Sequence, residues 1–258
     1  MNIDIFIPAR LSSSRLPKKH LEKINDLTII ENIVNRLKTC ENYNNIVVCT
    51  TTDKSDDSLV NFLKTKNILF FRGDKCDILA RFLAAAKKFK SDVIIDVEGD
   101  KLFIEPQFVN DVIRKMYNEN VDFVIGSNSP TNFDPNDHFV HGLIPTGIRV
   151  SCIQKISDAN KSKNKETGYK EFFVNNSNIK KIFYVLDTHK FEISKNLRLT
   201  IDYPEDLKFA RALFKLLPDN FNFTDILVIL KKYPHLLNII KNLHEHWINN
   251  YNKEIEKS

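Results

Sequence analysis

The chain reads as a doubly wound α/β domain, and three observations lead there. Its first 126 residues alternate apolar runs of strand length with segments of helical period. Each crossover between those runs is long enough to make a right-handed βαβ unit with parallel strands. With 258 residues and 42% hydrophobic content, the chain can bury one substantial core without splitting into independent domains.

Taken in order, strands are expected at Asp4 to Ile7, Asn45 to Cys49, Ile68 to Phe71, Val93 to Val97 and Val121 to Ile125. Between them lie helices near Thr28 to Lys38, Asp56 to Lys64, Asp77 to Phe89 and Pro106 to Tyr117. In such a sheet the loops at the carboxyl ends of the strands form the ligand crevice. From Ser127 to about Asp137 the pattern breaks into Ser, Asn, Pro and Asp, a loop expected to leave the main sheet. Residues 138 to 186 read as a strand, a helix beginning near Ser151, a polar stretch Asn160 to Lys165, a second short helix and a strand at Lys181 to Leu186. The region 127–196 is thus expected as an inserted acceptor or dimerisation lobe. Leu197 to Ile201 returns to strand, and a helix follows from Pro204 to Leu216 with Pro at its first position and acids in its first turn. The tail, 221–258, reads as two helices separated near Pro234. Leu236, Ile239, Ile240, Leu243 and Trp247 make one apolar face, covering either the core or a second subunit. Phe221, Phe223, Tyr233 and Trp247 read as packing rather than as ligand contacts.

Composition narrows the function classes. The apolar start, Ile3 to Ile7, is too short for a signal peptide and lacks its basic flank and cleavage site. No apolar run approaches the roughly 20 residues of a membrane helix, so a cytoplasmic protein is expected. Cys40, Cys49, Cys76 and Cys152 show no CxxC pairing and read as reduced, mostly buried thiols. The net charge of +5 is 38 basic residues diluted by 33 acidic ones along the whole chain. That is a weak footprint for nucleic acid and suits a locally basic pocket for a phosphorylated small molecule better.

The strongest local signal follows the first strand: Ile7-Pro8-Ala9-Arg10-Leu11-Ser12-Ser13-Ser14-Arg15-Leu16-Pro17-Lys18-Lys19. Three hydroxyls and four cations in one loop can wrap a triphosphate, although a solvated basic loop would show the same composition. Neither GxGxxG nor GxxxxGK[ST] is present, so a dinucleotide turn and a P-loop are both unsupported. Further segments keep a fixed order: Val48-Cys49-Thr50-Thr51-Thr52-Asp53 with Asp56-Asp57, Phe71-Arg72-Gly73, Asp77-Ile78-Leu79-Ala80-Arg81, Gly99-Asp100, and Leu199-Thr200-Ile201-Asp202-Tyr203-Pro204-Glu205-Asp206-Leu207.

Those ordered segments resemble the cytidylyltransferases that activate acidic sugars, the 3-deoxy-manno-octulosonate and acylneuraminate enzymes, and most closely their spore-coat-polysaccharide-type relatives. The resemblance spans about residues 3–126 and 197–240. It implies the Rossmann-like fold of nucleotide-diphospho-sugar transferases, CTP as substrate, Mg2+ as cofactor and a homodimer. Pro8, Ala9, Arg10, Ser13, Arg15, Lys19 and Thr50 would then bind the nucleotide, with Arg72, Asp77 and Arg81 towards the base. Asp100 and Asp202 would hold magnesium, and Arg15, Lys19 and Asp100 would be catalytic. The bottom-up reading agrees that Asp100 and Asp202 each end a strand and can reach one crevice; helix capping before Pro204 is the other reading of Asp202. The implied reaction is in-line displacement at the α-phosphorus of CTP by a small anionic acceptor, with release of pyrophosphate.

Departures from the pattern cluster where an acceptor would be chosen. Lys18 stands where the family usually has Gly, and Lys101 follows Asp100 where relatives commonly carry a Pro two residues on. Around His141-Gly142 the family's acidic residues are replaced, and no histidine falls in Glu166-Thr167-Gly168-Tyr169-Lys170-Glu171 where relatives often show an acidic-His pair. Lys101, His141, Arg149, Tyr169 and Lys170 are therefore the candidates for acceptor binding. A glycosyltransferase of similar architecture would want Asp-x-Asp after a strand, which Gly99-Asp100-Lys101 does not supply. A non-catalytic nucleotide sensor would have less use for both carboxylates.

Overall fold

The computed structural model describes residues 1–134, 140–159, 168–186, 193–194 and 196–255. The expected polar stretch at 160–165, the pair at 166–167 and the end of the loop at 135–137 lie outside the described residues.

The central strand is β1 (Ile3–Pro8), flanked in parallel by β4 (Asn45–Thr51) and β6 (Val93–Asp96). β5 (Phe70–Gly73) pairs in parallel with the outer side of β4. Buried on both faces, β1 and β6 read as near-continuous apolar runs rather than alternating ones. The pleat still sorts them: Ile5 and Ile7 enter one core, and Phe6 enters the other. Asp4, buried in mid-strand, accepts from Asn45 and Ser91, so its charge is hydrogen-bonded.

The first core is closed by α1 (Ile29–Leu37), α2 (Asp57–Thr65), α4 (Pro106–Asn118) and α7 (Pro204–Phe214). The second is closed by α3 (Ile78–Phe89) and α5 (Val150–Ala159). Helix starts follow the sequence: Thr28 and Glu31 form a capping box on α1, Asp77 caps α3 through the Ala80 amide, and Pro106 and Pro204 open α4 and α7.

Three features differ from expectation. β8 (Thr146–Arg149) inserts antiparallel between β6 and β7 (Phe123–Ser127), and β9 (Lys181–Val185) adds to the free side of β7 in parallel. β8 and β9, both within the region 127–196, therefore extend one end of the main sheet, in the order β5-β4-β1-β6-β8-β7-β9 among the described residues. Leu197 to Ile201 is extended but joins no ladder; Leu199 N–H donates to the His141 carbonyl and Ile201 N–H to the Asp100 carbonyl. A short hairpin, β2 (Lys23–Ile24) and β3 (Leu27–Thr28), precedes α1.

The C-terminal segment runs as α8 (Phe223–Lys232), a 3-10 stretch Pro234–Ile240 and α9 (Leu243–Ile255). Leu236, Ile240 and Leu243 are buried in the first core, so that part of the apolar face is spent inside the chain. The four-residue α6 (Glu171–Val174) lies between β8 and β9 in sequence. No described helix is long and apolar enough to cross a membrane. Cys40, Cys49 and Cys152 are buried free thiols, and Cys76 is exposed.

Candidate active site

A cavity of about 500 Å3 opens at the carboxyl ends of β1 and β6. Its floor is the loop after β1. Asp56 fixes the start of that loop by accepting from the Leu11 amide at 2.7 Å while also receiving the Thr51 hydroxyl. The loop closes when the Lys18 amide donates to the Leu11 carbonyl, with Lys18 in the left-handed region at φ 57°. The chain thus keeps a backbone shape that favours glycine although a lysine stands there.

Held this way, Arg10, Ser13, Arg15 and Lys19 all face the cavity, together with Pro8 and Ala9. The Lys19 ammonium donates to Asp100 Oδ2 at 3.1 Å, to Asp202 Oδ1 at 3.3 Å and to the Ile201 carbonyl at 2.7 Å. Arg15 Nη2 donates to the same Asp202 oxygen at 2.9 Å, and its guanidinium carbon lies 5.4 Å from the Tyr203 ring centre. The two expected carboxylates and two of the expected cations are therefore one cluster.

Burial opposes ionisation of Asp202, but Lys19, Arg15 and Arg198 outweigh it and hold this carboxyl far below the usual range. Asp100 goes the other way: burial, with Asp202 and Glu98 nearby, raises its carboxyl despite Lys19. A further cation would relieve it. Among the described residues no group of three or more His, Cys, Asp or Glu could hold a metal ion. Asp100 and Asp202 could supply two oxygen ligands, leaving the other positions to water and substrate phosphates, as magnesium prefers.

Arg198, which the sequence reading passed over, organises the carboxylate side. Fully buried, it donates through Nε to Asp206 Oδ1 at 3.0 Å and through Nη2 to Asp202 Oδ2 at 2.8 Å. Asp206 Oδ2 in turn accepts the Asp202 and Tyr203 amides, each at 2.9 Å. His20 was also missed. Its Nδ1 lies 2.9 Å from the Gly99 carbonyl, and burial beside Lys19 lowers its pKa to about 3, so it supports the Gly99-Asp100 turn as a neutral ring. A Cβ on Gly99 would come within 2.8 Å of both His20 and the Pro8 carbonyl, which is why that turn takes glycine.

Glu98, two residues before Asp100, pairs with Lys170 at 2.9 Å and Lys101 at 3.2 Å. The Tyr169 hydroxyl donates to Asp96, whose carboxyl burial raises to about 6. Lys101 also donates to the Ile144 carbonyl at 2.6 Å. His141 lines the same cavity; burial lowers its pKa to about 3, so it too is neutral. Gly142, at φ 104°, lets the Leu199 carbonyl pass where a Cβ would lie 2.2 Å away.

Four expected residues sit elsewhere. Arg149 ends β8 and donates to the Val121 and Met116 carbonyls, outside the cavity lining. Arg72 is committed to the Thr51 and Asp53 carbonyls and to Asp57, Asp77 caps α3, and Thr50 is buried in β4. None of the three lines the cavity, whereas Arg81 and Ile78 of α3 do. Trp247, Asn250 and Tyr251 of α9 also line it, which corrects the reading of Trp247 as packing alone.

The sequence profile of the family described as Cytidylyltransferase matches residues 5–220. An uncharacterized protein of Methanocaldococcus jannaschii is 29% identical over 95% of this chain and 97% of its own. A spore coat polysaccharide biosynthesis protein of Bacillus subtilis is 24% identical over 91% of this chain and 96% of its own. The solved structure of a cytidylyltransferase from Leptospira borgpetersenii superposes with a TM-score of 0.81 at 27% identity, covering 94% of this chain and 98% of that one.

Proposed function

The chain belongs to the cytidylyltransferase family, and from that premise we propose that it transfers CMP from CTP to a small anionic acceptor, releasing pyrophosphate, in cytoplasmic surface-polysaccharide synthesis. One observation carries the reading: the loop cations Arg15 and Lys19 and the carboxylates Asp100 and Asp202 converge in a cavity that Lys101 and Lys170 also line. The loop cluster suits a triphosphate, and the two further lysines suit an anion. The resemblance of the ordered motifs to acidic-sugar enzymes and the Bacillus subtilis relative's name support an acidic sugar and a polysaccharide role.

In this proposal Arg10, Ser13, Arg15 and Lys19 bind the triphosphate oxygens, and Arg81 borders the nucleotide on the α3 side. Arg15 and Lys19 offset the charge that develops on the departing pyrophosphate as the acceptor oxygen attacks the α-phosphorus and the bond to the β-phosphate bridge breaks. Magnesium, when bound, would be held by Asp100 and Asp202 and would neutralise phosphate charge. Lys170 and Lys101 orient the acceptor, with Glu98 between them limiting the net positive charge there. A phosphate or phosphonate acceptor oxygen is already ionised at neutral pH and needs no enzyme base, whereas a sugar hydroxyl passes its proton to water or a base as its bond to phosphorus forms.

Pyrophosphate release tests this, with CTP, UTP, ATP and GTP each offered against acidic sugars, sugar phosphates and phosphonates, with and without magnesium. Release is expected with CTP and one acidic acceptor, lost on chelation and in Lys19→Met. Nucleotide binding without release for any pair would replace the transferase by a sensor. We also propose a homodimer, to be checked by light scattering; a monomeric mass at working concentration would remove it.

A further inference from the structure

We propose that Trp247 and Tyr251 of the C-terminal helix α9 determine acceptor specificity, forming an aromatic platform for the apolar face of a polyhydroxylated ring. The inference rests on the cytidylyltransferase reading and adds a residue role to it.

The two rings stack with centres 5.0 Å apart at 19°, and both line the cavity while remaining only half-buried. Residues that serve packing alone on this segment, Leu236, Ile240 and Leu243, are buried instead. α9 is also tied to two parts of the site. Asn250 Nδ2 donates to the Tyr203 hydroxyl at 2.8 Å, beside Arg15 and Asp202. The Tyr251 hydroxyl donates to Glu171 Oε1 at 3.1 Å, one residue after Lys170. Two consecutive residues thus fix α9 beside both the Tyr203 and the Glu171 segments, and Trp247 lies one turn before them.

The chemistry of that stretch selects a ligand type. The Trp247 ring centre lies 4.6 Å from that of His141, which burial keeps neutral, so aromatic rings line the cavity along α9. The same cavity is lined by Lys170 and Lys101. A ligand that satisfies both has an ionised group and a flat face of polarised C–H bonds. A pyranose acid has both, because its axial hydrogens point at the negative face of an aromatic ring while its hydroxyls lie at the edge. An open-chain acid has the charge without a rigid apolar face. The nucleotide end, by contrast, is lined by the β1 loop and by Ile78 and Arg81 of α3.

Trp247 is the chain's single tryptophan, so intrinsic emission reads the platform directly and without turnover. The probes are 3-deoxy-manno-octulosonate, N-acetylneuraminate and glucuronate as ring acids, open-chain gluconate, and CTP with magnesium. A saturable change is expected with at least one ring acid, at a midpoint about tenfold or more below that of gluconate, from a stacking contribution of ordinary size. CTP is expected to leave the emission unchanged. In turnover, Trp247→Ala should raise the acceptor KM about tenfold with the CTP KM unchanged, and Trp247→Phe should restore it, since a ring of either type provides the face. Emission that responds to CTP and to no acid, a flat response throughout, or an unchanged acceptor KM in Trp247→Ala overturns the proposal. If the enzyme reading itself failed, no CTP-dependent pyrophosphate would appear in the wild type, a result separate from all of these.

Discussion

Replacing Arg198 by Met is the most direct test of how the carboxylate corner is held. Its guanidinium is 1% exposed, and it bonds two carboxylates, Asp202 and Asp206, whose side chains are 5% and 1% exposed. Methionine fills similar volume without charge, so the main effect is two buried carboxylates deprived of a shared cation. Removing one member of a buried pair costs about 3–5 kcal/mol. At ~2.1 cal/mol/K per residue over 258 residues, that is a fall in Tm of about 6–9 °C. The loss should depend on pH with a defined sign. Burial already raises the Asp206 carboxyl despite Arg198, and without the guanidinium it rises further. A carboxyl whose folded pKa exceeds its unfolded value binds more protons folded than unfolded, so it destabilises at high pH and recovers as pH falls. The deficit of Arg198→Met relative to wild type should therefore be largest at pH 7.5 and smaller at pH 5. Adding Asp206→Asn should return about 1–2 kcal/mol at pH 7.5, since the amide oxygen still accepts backbone N–H without a buried charge. Urea unfolding at the two pH values measures all of this. A loss below about 1 kcal/mol, or one independent of pH, would refute the account of Arg198 as the shared counter-charge.

Three other substitutions separate geometry from charge. Gly99→Ala places a Cβ 2.8 Å from the Pro8 carbonyl, which belongs to the central strand and cannot withdraw; a stability loss of about 1–3 kcal/mol in urea melts is expected, and a wild-type midpoint would contradict the close-approach argument. Arg149→Ala should leave the acceptor KM within about twofold while costing about 1–2 kcal/mol, because its guanidinium serves the Val121 and Met116 carbonyls; a large KM change would return it to the pocket. Lys18→Gly should stabilise by up to about 1 kcal/mol, the relief of a left-handed lysine offset by added chain entropy; a loss of that size would show that the Lys18 side chain makes a contact that matters more than its backbone strain.

The clustering of the loop residues with Asp100 was legible because it is local. Arg10, Ser13, Arg15 and Lys19 lie within one loop, and strand ends alone bring Asp100 towards it. Parallel topology does the rest, since every carboxyl end points to the same edge. Arg149 was misplaced for an equally simple reason. Thr146 opens β8 and lines the cavity, but successive strand side chains alternate faces, so a residue three positions on turns away from it. Arg72 and Asp77 carry the right charges in a matching motif, yet backbone carbonyls and a helix start claim them first. Charge type in a loop does not say which partner is nearest.

Arg198 did leave a signal that periodicity could not use. It stands between Leu197 and Leu199 in an apolar run, and a cation in a run destined for burial must have a carboxylate partner. Asp202 and Asp206 were the available acids downstream, and reading Asp206 only as a first-turn acid of α7 hid the pairing. The acceptor wall left less. Helical spacing identified an apolar face through Trp247, but spacing cannot tell a core from a cavity; that depends on where the chain goes after Ile240. The 3-10 stretch ends there, α9 starts at Leu243 and crosses the mouth of the site, and the last aromatic residues of the face meet open space in place of the core. In the proposed reaction, substrate choice is assembled by long-range packing of α9 onto a sheet edge whose phosphate-binding loop is local in sequence. The acceptor can then change through α9 and the β8 end of the sheet while Arg15, Lys19, Asp100 and Asp202 stay as they are.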